Sequence, residues 1–134
     1  MVKAHFVNPP YVISKATPNQ AITISADIQN IDTIADEHVI YMSVWDSEAD
    51  YVMSRAESFV EPGETVKFNC NFNMPNRDLW VDIIAGHYKD ESPGWQDDEV
   101  YGAKIELSSK AIVIPVIAIA FIPLLLIPFF NKKV

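Results

Sequence analysis

The sequence predicts an all-β head, a seven-stranded antiparallel sandwich of two sheets, followed by one C-terminal transmembrane helix. Three observations lead there. Short stretches of apolar–polar alternation recur along residues 11–107, with the period of two that a half-buried strand requires. Turn-forming residues separate them at intervals of about 8–12 positions, the spacing of sandwich strands. Residues 111–130 then read AIVIPVIAIAFIPLLLIPFF, without a charge or a polar side chain. As a helix of about 20 residues this stretch matches the roughly 30 Å hydrocarbon core of a bilayer.

Taken in order, residues 1–10 end in Asn8-Pro9-Pro10 and read as an extended lead, because consecutive prolines exclude a helix. Residues 11–15 read as a first short strand, closed by the turn chemistry of Thr17-Pro18-Asn19. In residues 21–29, Ile22, Ile24, Ala26 and Ile28 alternate with Thr23, Ser25 and Asp27, which makes a strand with one buried face. A polar loop follows. Residues 39–45 are apolar on both faces and suit a central strand. After an acidic turn, residues 51–60 form a weaker strand. Glu61-Pro62-Gly63-Glu64 is a tight turn in which proline presets φ and glycine permits a positive one. Residues 65–73 put Val66, Phe68, Cys70 and Phe72 inward against Lys67, Asn69 and Asn71 outward. Residues 79–88 again carry apolar side chains on both faces. Residues 89–99, KDESPGWQDDE, read as a long acidic loop, and residues 100–107 as the last strand, with Tyr101, Ala103, Ile105 and Leu107 inward. Residues 108–110 link the sandwich (11–107) to the anchor (111–130), and residues 131–134 are a basic tail.

The Ile, Val, Leu and Phe side chains of the anchor, Ile114, Phe121, Leu125 and Phe130 among them, favour insertion by about 4–8 kcal/mol in sum. Pro115 falls at the first turn, where its missing N–H costs little. Pro123 and Pro128 each free a carbonyl one turn back, so the helix is expected to be kinked and supported by neighbours. Lys110, Lys132 and Lys133 flank it as snorkelling cations. Their asymmetry favours an inside C-terminus and an outside head. The start of the chain, MVKAHFVNPPYV, has no apolar signal region, so the anchor itself is expected to direct insertion.

The formal charge is −8, and two of the lysines lie beyond the anchor, so the head is strongly acidic. Nucleic acid is therefore not an expected partner, since its phosphates would be repelled. The single cysteine excludes an internal disulfide. His5, His38 and His87 share no zinc-type spacing with it. No HExxH, CxxC, GxSxG or glycine-rich nucleotide motif occurs. No enzyme is expected, and Cys70 reads as a small core residue.

The turn Glu61-Pro62-Gly63-Glu64 leading into an alternating strand, and the 79–88 strand followed by an acidic loop, give residues 11–107 a pattern that resembles the immunoglobulin-like group. Within that group it is similar to domains of the CARDB kind and to fibronectin type III. The antibody-type Cys…Trp…Cys signature is absent. The resemblance implies a binding or spacer role and no chemistry. Its topology gathers the loops after residues 29, 60 and 88 at the end away from the anchor. That tip would hold Asp32, Asp36, Glu37, Glu61, Glu64, Asp90, Glu91, Asp97, Asp98 and Glu99, with Trp95 among them.

Three readings of the tip stay open: a solvated surface, a recognition tip anchored by Trp95 and Tyr88 with carboxylates steering a basic partner, or a Ca²⁺ site drawing on Asp90, Asp97 and Asp98. No other cofactor is expected. At the level of function, a membrane-anchored protein-interaction module stands beside a structural subunit of a virion or membrane complex, whose kinked tail packs among other helices. The expected partners are the lipid bilayer and a protein or a second copy.

Overall fold

The computed structural model describes residues 3–33, 38–88 and 94–108. The fold is all-β: β1 (Ala4–Phe6), β2 (Lys15–Ala16), β3 (Ala21–Asn30), β4 (His38–Asp46), β5 (Tyr51–Val60), β6 (Thr65–Asn73), β7 (Leu79–Tyr88) and β8 (Trp95–Leu107). They form a three-stranded sheet of order β1-β3-β6 and a five-stranded sheet of order β2-β8-β7-β4-β5. No helix among the described residues is long and apolar enough to cross a membrane. The anchor residues Ile114, Pro115, Phe121, Pro123, Leu125, Pro128 and Phe130 lie outside the described residues.

Alternation decides which face is buried. Ile22, Ile24, Ala26 and Ile28 of β3 and Phe68 and Cys70 of β6 pack against Ile40, Met42 and Val44 of β4, Leu79, Val81, Ile83 and Ala85 of β7, and Ile105 of β8. Each fully buried branched side chain contributes about 1.5–3 kcal/mol relative to exposure. Cys70 lies in this core with its thiol on the Met42 carbonyl at 3.5 Å. Burial pushes the thiol up, against a weaker effect of Ser54, so it is a poor nucleophile.

Three features differ from the sequence expectation. The first strand, expected at 11–15, is reduced to Lys15 and Ala16, with an isolated bridge from Tyr11 to Ser25, and it runs parallel to β8. The sandwich is therefore not wholly antiparallel. The chain crosses from one sheet to the other between these two points. Second, the lead contains β1, paired with β3 through Ala4, His5 and Phe6. Third, the acidic stretch from Trp95 to Glu99 is not a loop: β8 begins at Trp95 and pairs with β7 from there, with a register shift at Ala85 and Gly86.

The expected tight turn is present. Gly63 has φ +84°, and its N–H donates to the Asn30 carbonyl at 2.7 Å. At the other end, Asp46 accepts the N–H groups of Glu48 and Ala49 at 3.0 and 2.9 Å and pairs with Arg77. Burial works to raise its pKa, but the Ala49 amide and the Arg77 guanidinium outweigh it and hold the carboxyl below the usual range.

Candidate functional site

The two outer faces of the sandwich differ in chemistry. On the three-stranded sheet, Thr23, Ser25 and Asp27 stand opposite Asn71, Asn69 and Lys67. The hydroxyls of Thr23 and Ser25 each donate to an asparagine carbonyl oxygen at 2.6 Å. This face is an exposed polar ladder. On the five-stranded sheet the register instead aligns Phe59, Val39, Tyr88 and Trp95 in one row across β5, β4, β7 and β8. At about 4.8 Å between strands the row is roughly 15 Å long. Phe59 is 69 % and Trp95 42 % exposed.

The next row is Glu57, Tyr41, Gly86 and Asp97. Tyr41 lies across Gly86, where an added Cβ would stand 2.3 Å from its ring, and its hydroxyl donates to Asp97 Oδ1 at 2.5 Å. The phenol pKa is raised, first by burial and then by the Asp97 carboxylate. Arg55 stacks its guanidinium on Tyr41 at 4.4 Å and on Trp95 at 4.3 Å. Trp95 meets Tyr41 edge-on with centroids 5.3 Å apart and Tyr88 at 4.7 Å. Cation–π and edge contacts of this kind contribute about 0.5–1.5 kcal/mol each. Trp95 is thus an exposed aromatic held in one orientation.

The carboxylates expected at a common tip are distributed. Glu61 and Glu64 sit exposed on the tight turn, where the Glu61 N–H donates to Glu64 Oε1 at 3.1 Å. Asp32 is buried and paired with Lys3 at 2.5 Å. Asp97 serves Tyr41 on the outer face. Asp98, on the inner side, accepts from His87 Nδ1 at 2.7 Å and from the Ala4 N–H at 3.0 Å. Glu99 accepts from His5 Nδ1 at 2.7 Å and the Phe6 N–H at 3.0 Å. Asp36, Glu37, Asp90 and Glu91 lie outside the described residues. Asp97 and Asp98 do not converge, and no group of three or more His, Cys, Asp or Glu side chains among the described residues is placed to hold a metal ion.

Asp97, Asp98 and Glu99, at the start of β8, therefore act within the fold. The Val7 N–H donates to the Asp27 carbonyl of β3 at 2.9 Å and the Lys3 carbonyl accepts from Ile31 just beyond that strand at 2.8 Å, which turns the N–H groups of Ala4 and Phe6 to the free side of β1. Asp98 and Glu99 cap those two donors and tie the sheets together. For Glu99, burial acts to raise the pKa, but the His5 bond and the Phe6 N–H prevail and the carboxyl is lowered from 4.5. A depressed carboxylate contributes stability that is fully present above its ordinary pKa and is lost as pH falls through the lower folded value. Urea midpoints followed downward from pH 6 should fall below about pH 4.5 in the native chain. The fall should be shallower in Glu99→Gln, and superimposable curves would refute this role.

No family model and no curated protein sequence matches the chain. Among solved structures, a β-glucuronidase from glycoside hydrolase family 2 is similar at 14 % identity with a TM-score of 0.48. The similarity covers 79 % of this chain and 11 % of that one, so this chain spans about a tenth of that enzyme's length.

Proposed function

We propose that the chain is a membrane-anchored recognition module without catalytic chemistry. In this reading it is an immunoglobulin-like domain of the CARDB or fibronectin type III kind that binds another protein through the aromatic row of its five-stranded sheet. The observation that carries the proposal is the contrast between the two outer faces. One is satisfied by its own polar ladder, while the other exposes Phe59 and an immobilised Trp95 that the core does not need. Rigid, exposed aromatic side chains are the usual anchors of protein interfaces. The charge of −8 favours a partner with a basic surface, chiefly through the rate of encounter. The apolar stretch 111–130 with its flanking lysines supports the anchor.

The test uses the full-length chain in its native membranes, where resistance to alkaline carbonate extraction reports the anchor. A photo-crosslinking amino acid is placed at Phe59 or, as a control, at Thr23 on the polar face. Discrete adducts with one protein are expected from position 59 and not from 23, and Trp95→Ala should reduce them at least tenfold. Equal yields from both positions, or adducts indifferent to Trp95, would sink the reading.

A further inference from the structure

A second surface lies along the edge of β8. Backbone groups of β8 alternate between its two sides. The Leu107 N–H points toward β7 and meets Asp78 Oδ1 at 2.8 Å. The N–H groups of Glu106 and Ser108 point the other way, to the carbonyls of Ser14 and Ala16. The register with β7 is unbroken from Glu99 to Ile105, so Val100, Gly102 and Lys104 present their N–H and C=O groups on the same side as Glu106. There β2 covers only Glu106 and Leu107. Among the described residues no strand pairs with the other three. A run of unpaired backbone groups is a template for another strand.

Natural edges are usually blunted by proline, a bulge or an outward charge. Residues 100–104 have neither proline nor bulge. The charge there, on Lys104, is drawn inboard over the Trp80 ring at 5.0 Å and toward Asp78 and Glu106 at 3.8 and 3.9 Å. A shallow groove of about 390 Å³ opens beside the edge, lined by Phe6, Val7, Pro9, Val100 and Tyr101 among others.

Gly102 points to the occupant. Its backbone lies outside the left-handed region, and an added Cβ would meet nothing closer than Asp82 Oδ1 at 3.9 Å. The fold itself leaves room for a side chain there. Glycine weakens a strand interior, and where the fold does not require it, it marks the close approach of another backbone.

We propose that β8 pairs edge to edge with β8 of a second copy, antiparallel about a two-fold axis through Gly102. In this register Gly102 faces Gly102 of the second copy, and Val100 faces its Lys104. The half-exposed ring of Tyr101 faces the small side chain of its Ala103. Like charges do not meet among these pairs, and about six backbone hydrogen bonds form. The contact is isologous, so it closes as a dimer. Because the axis stands perpendicular to the sheet, both aromatic rows lie on the same side of the doubled sheet. The pairing does not depend on what those rows bind.

Variants of the full-length chain with one added cysteine, in detergent, test the register, since the native Cys70 is buried. Paired residues of an antiparallel ladder lie within the Cα separation a disulfide spans, and residues four positions out of register do not. Gly102→Cys should therefore form a disulfide dimer at least tenfold faster than Val100→Cys or Lys104→Cys alone. A mixture of those two should cross-link as fast as Gly102→Cys. Gly102→Pro, which removes an edge N–H that the monomer does not use, should abolish the dimer seen by native mass spectrometry while leaving the β circular dichroism unchanged. Equal cross-linking at all three positions, as an association driven by the tail would give, overturns the proposal. So does a folded Gly102→Pro protein that remains dimeric.

Discussion

Gly86→Ala is expected to lower the unfolding free energy by about 2–4 kcal/mol, although it adds a single methyl group in a strand. The added Cβ would lie 2.3 Å from the Tyr41 ring and hydroxyl and 2.4 Å from the Gln96 carbonyl oxygen. Real Cβ atoms do not approach so closely, so both neighbours must move. Tyr41 cannot swing away cheaply: it is 1 % exposed, covered by Arg55 and Trp95, and bonded to Asp97. The Gln96 carbonyl is backbone in the β7–β8 ladder, beside the register shift. Overpacking of this kind costs about 1–3 kcal/mol, and the lost Tyr41–Asp97 hydrogen bond adds about 1 kcal/mol. Tyr41→Phe separates the two contributions. It removes only the hydroxyl and should cost about 1 kcal/mol, because Asp97 is exposed and water replaces the donor. Urea denaturation of the three proteins decides the matter. A Gly86→Ala midpoint within about 0.5 kcal/mol of the native chain would show that the aromatic row rests on something other than this packing.

Much of the sandwich was legible because its strands carry their own signal. The alternation at 21–29 and 65–73 corresponds to β3 and β6 within a residue, and both become the polar-out, apolar-in partners that the pattern implies. Residues 79–88 became β7, a central strand, as their two apolar faces require. The start of β8 was not legible. Gln96, Asp97, Asp98 and Glu99 look like a solvated loop because charged residues rarely fill a strand interior. They do so here only because each carboxylate finds a donor far away in sequence. Tyr41 is 56 positions from Asp97, and Ala4 and Phe6 are 94 and 93 positions from Asp98 and Glu99. Nothing local encodes those meetings.

One partial signal was present. His87 continues the inward parity of Leu79, Val81, Ile83 and Ala85, so it had to be buried. A buried imidazole needs a polar partner, and an acidic stretch follows within a dozen residues. The pair of Lys3 and Asp32 had no comparable signal, since three residues of edge strand are too few to show a period. The aromatic row was hidden for another reason. Trp95 was legible as an exposed aromatic, but Phe59 and Val39 of the same row come from strands whose relative register only the folded sheet defines.

Asp98→Ala should be the more damaging change, costing about 3–5 kcal/mol in sum and loosening β1 in particular. The Asp98 side chain is 4 % exposed and accepts two buried donors, His87 Nδ1 and the Ala4 N–H. Alanine deprives both of that acceptor in a place water does not readily reach, at about 1–3 kcal/mol for each, and more where the donor is charged. Asp98→Asn keeps one carbonyl oxygen, which can serve Ala4 or His87 but is weaker as an acceptor than a carboxylate. It should cost less, about 1–2 kcal/mol.

Hydrogen exchange separates this mechanism from a general loss of packing. The amides of Ala4 and Phe6 should lose protection first and most in Asp98→Ala, while Ile24 and Cys70, in the centre of the β3–β6 pairing, keep theirs relative to the new global stability. Uniform loss across all strands would mean that Asp98 supports the core as a whole, and no loss at Ala4 would mean that β1 is held by β3 alone. If β1 is released selectively, the short edge strand depends on carboxylates of the facing sheet, and the acidic start of β8 is part of what closes the sandwich.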